Sequence, residues 1–269
     1  MKFGLDKTTQ KRVEPKPGLL AVCPCCEAEL VSKCGNVRIH HWAHRNNKMC
    51  DSWWEPETEW HRSWKNNFPA EWQEVFLPDE RTGEKHIADI HTSHDLVIEF
   101  QHSHIDPQER VTRENFYKNM VWVVDGSRNK GDFRRFIKRV RHFQYVEKGL
   151  FRVDNPEECF PLAWLESSVP VIFDFKGTEP GNDPIIMKNP LYCLFPIRIG
   201  KNATVAEVSR EGFINSTTDG KWNLRANRFI DDLNRDKQEW QIQDAALRKM
   251  DMIIERLNRA KQYPRKRRF

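Results

Sequence analysis

The stretch CPCCEAELVSKCGNVRIHHWAH, residues 23–44, packs four cysteines and three histidines into a space too short to bury a core of its own. Cys23 and Cys26 stand in C-x2-C spacing, and His41 and His44 in H-x2-H spacing. A fifth cysteine, Cys50, follows closely, while Cys159 and Cys193 stand alone, which is not the even spacing of a disulfide scaffold. Thiolate and imidazole are the ligands zinc prefers, and two tight pairs on either side of a hairpin make a tetrahedral site at little entropic cost. Cys23, Cys26, His41 and His44 are therefore the expected zinc ligands, with the hairpin turning at Lys33–Asn36. Cys25, Cys34, His40 and Cys50 remain close enough to substitute, Cys50 for a histidine above all. Buried small residues beside solvated histidines would be the plainer explanation, but paired spacing is rare by chance. Four protein ligands leave no open position, so the role is structural.

At 269 residues the chain has room for one large domain or two modest ones. No run approaches the roughly 18 apolar residues of a membrane span, and the first residues lack the apolar core of a signal peptide, so a cytoplasmic protein without membrane contact is expected. Its 44 Lys and Arg against 39 Asp and Glu permit a nucleic-acid partner without demanding one. The excess is uneven, because residues 256–269 carry seven basic side chains and no acid.

The middle of the chain reads as an ordered series. A helix is expected over Glu57–Phe68, with Trp60 and Trp64 one turn apart, and extended runs over Glu71–Leu77, His86–Ile90 and Leu96–His102. A second helix starts at Asp106-Pro107 and runs to about Asn119, and the apolar run MVWVV, 120–124, is a buried strand. In VIEFQ, 97–101, the two-residue period puts Glu99 and Gln101 on one face. A hairpin over 91–95 brings Asp89 opposite or diagonal to the Val97–Glu99 region, within roughly 5–8 Å. Two carboxylates held that close repel, and a shared divalent cation relieves them. A solvated strand face would be the ordinary explanation of such acids, but the flanking residues are strongly apolar.

With CPCC followed by HHWAH, PETEWHRSWK, HIADI, VIEFQHS and RVTRENFYKNMVWVVDG, the chain resembles the competence protein CoiA-like family over about residues 20–140. That family's nuclease domain is similar to the PD-(D/E)xK restriction-endonuclease fold. The resemblance implies that Asp89 and Glu99 are the acids of the second and third core strands and hold Mg²⁺ or Mn²⁺. It makes Glu59, or its neighbour Glu57, the first-helix acid, followed by His61 and Lys65. Gln101 occupies the place where the commoner motif has lysine, a departure that enzymes of this fold tolerate but that leaves the proton acceptor open. Gln101 would position the attacking water, with the Ala88 or Phe100 carbonyl as a further metal ligand. His61, His102 and Lys65 would move a proton or contact phosphate.

On the second helix Arg110, Arg113 and Tyr117 share one face, where with Lys65 they could bind the nucleic-acid backbone; a solvated face explains them as well. Beyond residue 150, PVIFDF and LYCLFPIRI suggest irregular β structure with long loops up to Lys221, and a long helix follows over about Leu224–Ala260. The basic tail YPRKRRF is a further phosphate-binding candidate. The expected fold is thus α/β (α+β): a zinc-ribbon-like module over 1–54, a restriction-endonuclease-like core over 55–148, and a C-terminal β and long-helix extension over 149–269. The expected function is metal-dependent hydrolysis of DNA, with RNA left open as a substrate, in competence, recombination or defence. A non-catalytic zinc-containing nucleic-acid-binding protein is the alternative. A ββα-metal nuclease using His40 or His41 as base is disfavoured, since the usual downstream Asn or His partners are missing.

Overall fold

The computed structural model describes residues 1–46, 50–53, 55–79, 83, 85–175 and 190–262, so the tail YPRKRRF and part of the expected turn at 79–83 lie outside the described residues. Residues 4–44 form an antiparallel sheet of five short strands, β1 (Gly4–Asp6), β2 (Arg12–Val13), β3 (Ala21–Val22), β4 (Glu29–Lys33) and β5 (His41–His44), in the order β2-β1-β3-β4-β5. Its buried apolar core is small: Met1, Ala21, Cys23, Leu30 and Trp42. The backbone comes so close at Gly4 that a Cβ there would lie 2.9 Å from Leu30 Cδ1 and 3.0 Å from Ala21 Cβ.

The second sheet has nine strands: β6 (Gln73–Pro78), β7 (Lys85–His91), β8 (Val97–Gln101), β9 (Met120–Asp125), β10 (Gln144–Glu147), β11 (Leu150–Val153), β12 (Val171–Asp174), β13 (Leu191–Ile199) and β14 (Asn202–Val208). Their order is β10-β11-β14-β13-β12-β9-β8-β7-β6, with β9 parallel to β8 and β12 and the other pairs antiparallel. MVWVV lies at the centre for a simple reason: both faces of β9 are covered, so every residue must be apolar. Val121 and Val123 join Ile98, Phe100 and Trp64 in one core, while Trp122 and Val124 join Tyr117 and Phe136 in the other. Each such side chain contributes about 1.5–3 kcal/mol on burial.

The helices are α1 (Glu59–Lys65), α2 (Pro107–Tyr117), α3 (Lys130–Val140), α4 (Leu162–Leu165), α5 (Arg210–Thr218) and α6 (Lys221–Gln262). Thr58 starts α1 through a capping box with His61, and Asp106 caps α2 by accepting from Gln108 N at 2.8 Å. Trp60 and Trp64 both reach across the sheet end, donating through their indole N–H groups to Asp174 at 3.0 Å.

The C-terminal third differs from the expectation. β11 to β14 are strands of the same nine-stranded sheet, with one register shift between Leu194 and Arg198 of β13, and the expected boundary at 148/149 falls inside the β10–β11 hairpin. PVIFDF and LYCLFPIRI looked irregular because strands buried on both faces lack the alternation that marks a half-exposed strand. α3 and α5 lie outside the expected elements: α5 has few apolar positions, whereas α3 carries Phe133, Phe136, Ile137 and Val140 on one face, a helical signal that the sequence does offer. Among the described residues no helix is long and apolar enough to cross a membrane.

Candidate functional site

Two clusters of polar side chains stand out. In the first, Cys23 Sγ lies 3.7 Å from Cys50 Sγ and Cys26 Sγ lies 3.4 Å from His44 Nε2, and all four ligand atoms fall within 4.8 Å of one another. Tetrahedral zinc with bonds of about 2.3 Å to sulfur and 2.0–2.1 Å to nitrogen sets ligand atoms about 3.5–3.8 Å apart, so the set fits a zinc ion. Burial and the neighbouring Cys23 thiol push the Cys50 thiol far up, a cost that a bound cation removes.

His41 is not part of this set. Its Nδ1 bonds Ile39 O at 2.9 Å, and Cys50 takes the place expected for it. The reason is strand periodicity: His41 and His44 both lie on β5, and residues three apart on a strand face opposite sides. The H-x2-H pair therefore supplies one ligand, and the chain returns after β5 to supply the fourth.

The second cluster grows from a break in the large sheet. β7 and β8 pair at Ile90–Ile98 and His91–Val97 and go no further. Where the next pair would form, Asp89 N donates to Glu99 Oε1 at 3.1 Å and Phe100 N donates to Asp89 Oδ2 at 3.0 Å. Two carboxylates thus replace the backbone ladder, and a cleft of about 60 Å³ opens between the strands. On β6, Glu74 stands opposite Asp89 with a left-handed φ of 49° and accepts from Lys2 N at 2.8 Å and Phe3 N at 3.0 Å.

Lys65 reaches into this group from α1, with Nζ 2.8 Å from Asp89, 3.3 Å from Glu74 and 3.7 Å from Glu57. Burial alone would lower its pKa, but Asp89, Glu74 and Glu57 together raise it, so Lys65 stays charged. Burial likewise opposes the charge on Glu74, and Lys65 with the backbone N–H groups overcomes it, holding that carboxyl down at about 2. Glu99 ends differently. Burial first and Asp89 second push it up to about 8, and Arg113, 3.2 Å from its Oε2, does not offset them. The cleft is short of positive charge at Glu99.

Gln101 lines the same cleft, its amide donating to Glu55 and, at 3.2 Å, to Ser103 Oγ. His61 lines it too, with Nδ1 2.9 Å from Thr58 Oγ1 and Nε2 2.9 Å from Phe100 O, and burial lowers its pKa. Both ring nitrogens are engaged, and the Phe100 carbonyl expected to bind metal accepts from His61 instead.

Three further expectations need correction. Glu59 is exposed, and Glu57 is the acid that turns into the cleft, where it also holds Arg62 at 2.6 Å. Arg110 and Arg113 are 2% and 4% exposed, so their face of α2 packs on the sheet and offers no surface to a nucleic acid. Arg110 pairs with Glu114 at 2.7 Å, and Arg113 donates to Glu99, Glu109 and Trp53 O. Lys65 is a buried partner of the acids, not a surface contact.

Sequence reasoning also missed the strap that follows Cys50. Asp51, Trp53, Glu55 and Glu57 all line the cleft. Asp51 accepts from Ile87 N at 2.8 Å, and Trp53 stacks on His86 with ring centroids 3.3 Å apart. The three acids of DSWWEPE, Asp51, Glu55 and Glu57, were the available signal.

Residues 21–52, which contain all four cluster ligands, match the family model described as competence protein CoiA, N-terminal domain. The chain is also similar to the competence protein CoiA of Bacillus subtilis (strain 168), with 27% identity over 147 residues that cover 48% of this chain. The match spans 38% of that relative's length. No solved structure matches the chain. Residues 21–52 thus carry the likeness to the CoiA N-terminal domain, and the longer match makes the chain similar to the competence protein CoiA-like family.

Proposed function

We propose that the chain is a Mg²⁺- or Mn²⁺-dependent nuclease that hydrolyses phosphodiester bonds, with DNA as its first substrate class, in a competence-related role. Its core is read as restriction-endonuclease-like and its N-terminal part as a zinc-ribbon-like module. The observation that carries this is the pair Asp89 and Glu99 in an opened sheet, Glu99 accepting from Asp89 N and Asp89 from Phe100 N, with Arg113 beside Glu99 not offsetting the burial that disfavours its charge. Oxygen donors with that deficit suit a hard divalent cation, so Asp89 and Glu99 would hold it. When bound, such an ion polarises the scissile phosphate and lowers the pKa of its water.

The remaining roles belong to the chain's own groups. Lys65 is the cation beside Asp89 and stands in for the lysine that the strand lacks at Gln101. Gln101, already donating to Glu55, orients the water. The nucleic-acid track is moved from α2 to α3, whose Lys130, Arg134, Arg135, Lys138 and Arg139 are exposed.

The test is cleavage by purified protein of single-stranded, double-stranded and branched DNA and of RNA, with Mg²⁺, Mn²⁺ or chelator. Metal-dependent cleavage that falls about 10³-fold or more in Asp89→Asn is the expected result. Binding of nucleic acid without cleavage under any of these metals would instead assign the non-catalytic, zinc-containing binding protein.

A further inference from the structure

A second pair of titratable groups lies just outside the acidic cleft. His102 follows Gln101 at the end of β8, and its Nδ1 is 2.8 Å from Asp125 Oδ2 at the end of the parallel strand β9. Asp125 is fixed in turn: its other oxygen accepts from Ser127 N at 3.0 Å and from Ser127 Oγ at 2.7 Å. A carboxylate that accepts at Nδ1 places the proton of that nitrogen and turns Nε2 away from itself. The His102 side chain is 31% exposed against 7% for Asp125, so the free end of the ring meets solvent while the orienting end does not. The ring stands 5.9 Å from the His61 ring, which lines the cleft, and 6.2 Å from Trp60.

The contrast with His61 decides which histidine can handle a proton. His61 spends both nitrogens on Thr58 and Phe100 O and is buried. His102 spends one on a carboxylate, the arrangement that general acids and bases share. Packing against Trp60 and His61 would hold the ring without Asp125, so the carboxylate's added effect is to fix which nitrogen carries the proton.

We propose that His102, oriented by Asp125, is the general acid that protonates the leaving oxygen of the phosphodiester; this rests on the nuclease reading above. As the attacking water forms its bond to phosphorus, the bond from phosphorus to the leaving oxygen breaks and its electron pair stays on that oxygen. The oxygen takes the Nε2 proton of doubly protonated His102, and the ring is left neutral with Nδ1–H still donating to Asp125. The proton lost by the attacking water goes to solvent, and solvent reprotonates His102 for the next turnover.

The experiment compares leaving groups. His102→Gln and Asp125→Asn are assayed with Mn²⁺ on an oligonucleotide of ordinary linkage and on matched oligonucleotides with a 3′- or 5′-bridging sulfur, whose thiolate leaves without a proton. For the ordinary linkage, His102→Gln should lose about 10²-fold or more and Asp125→Asn somewhat less. For the bridging-sulfur linkage that the enzyme breaks, both should stay within about tenfold of the parent. Imidazole nitrogen NMR of the metal-free protein gives an activity-independent check: the Nδ1–H signal of the His102 ring, absent in His102→Gln, should be perturbed in Asp125→Asn. Equal losses on both linkages, or no loss on the ordinary one, would overturn the assignment while leaving the nuclease intact. A parent protein that cleaves neither linkage would remove the nuclease reading itself.

Discussion

The two clusters solve the same problem, too much polar chemistry in too little water, in opposite ways. The Cys23–Cys26–His44–Cys50 group comes from 28 consecutive residues and sits on a core of five buried apolar side chains. Its four side chains are arranged so that an external ion such as zinc could hold them together. The acidic cleft draws Glu57, Lys65, Glu74, Asp89 and Glu99 from α1, its approach and three strands, and the nine-stranded sheet holds them in place. There the fold supplies its own cations, Lys65 and Arg113, and leaves one deficit, at Glu99. A module with so small a core gains most from a bound metal, whereas a large sheet can hold a charge imbalance in place.

The largest expected effect tests the first half of that contrast. As purified, the reduced protein should carry about one zinc per chain by elemental analysis. Cys50→Ser should lose it, whereas His41→Ala should keep it. Structural zinc is worth on the order of 10 kcal/mol, so its loss should abolish hydrogen-exchange protection over residues 21–57 while β8 and β9 remain protected. Because the strap from Asp51 to Glu57 begins at Cys50, one wall of the cleft should loosen with it. Zinc retained in Cys50→Ser and lost in His41→Ala would reverse the ligand assignment.

The same contrast explains what the sequence could and could not reveal. Short-range features were legible: the C-x2-C pair, the Asp106-Pro107 helix start, and the two-residue period that sets Glu99 beside Gln101. Each is decided by residues within a few positions of one another. The choice between His41 and Cys50 was harder, because it depends on which side of β5 each histidine faces. Lys65 was misplaced on the surface because a lysine on an amphipathic helix is ordinarily solvated, and only the meeting of α1 with Asp89 and Glu74 makes it a buried counterion. Arg110 and Arg113 were misread for a like reason. Long-range pairing of charges leaves no periodic trace.

The second effect probes the deficit at Glu99. Its folded-state pKa is raised from an ordinary value near 4.5 to about 8, so in the metal-free protein the native state keeps a proton that the unfolded chain has released. The sign follows: this contribution is full below about pH 4.5 and is lost as pH rises through about 8. Glu99→Gln should remove that slope and make the metal-free protein more stable than the parent at pH 9, by up to about 5 kcal/mol at 1.4 kcal/mol per pKa unit. Urea denaturation at pH 5 and pH 9 measures it, and added Mn²⁺ should stabilise the parent more than the variant. An unchanged pH slope in Glu99→Gln would mean that the cleft is already balanced and differs less from the zinc cluster than the geometry indicates.

The smallest effect concerns Gln101, where the two designs meet, since its amide ties the strap's Glu55 to the end of β8. Gln101→Ala removes that donor and the water-orienting group together, and loss of one such group costs about tenfold to a thousandfold in rate. Gln101→Glu should do worse, because a new carboxylate would face Glu55 in a cleft already short of cations. Gln101→Lys should be tolerated: it keeps a donor to Glu55, adds charge where charge is lacking, and leaves the Ile98 and Phe100 packing on the other face of β8 untouched. With Lys65 already beside Asp89, the added lysine should not raise the rate much above the parent. Its clearest signature should come in Lys65→Met, which strips Asp89, Glu74 and Glu57 of their shared cation: adding Gln101→Lys should restore part of the cleavage that the single variant loses. Single-turnover rates at saturating Mn²⁺ measure all five variants. Gln101→Ala cleaving as fast as the parent would place this amide with the strap's structure alone and leave the handling of water to other groups in the cleft.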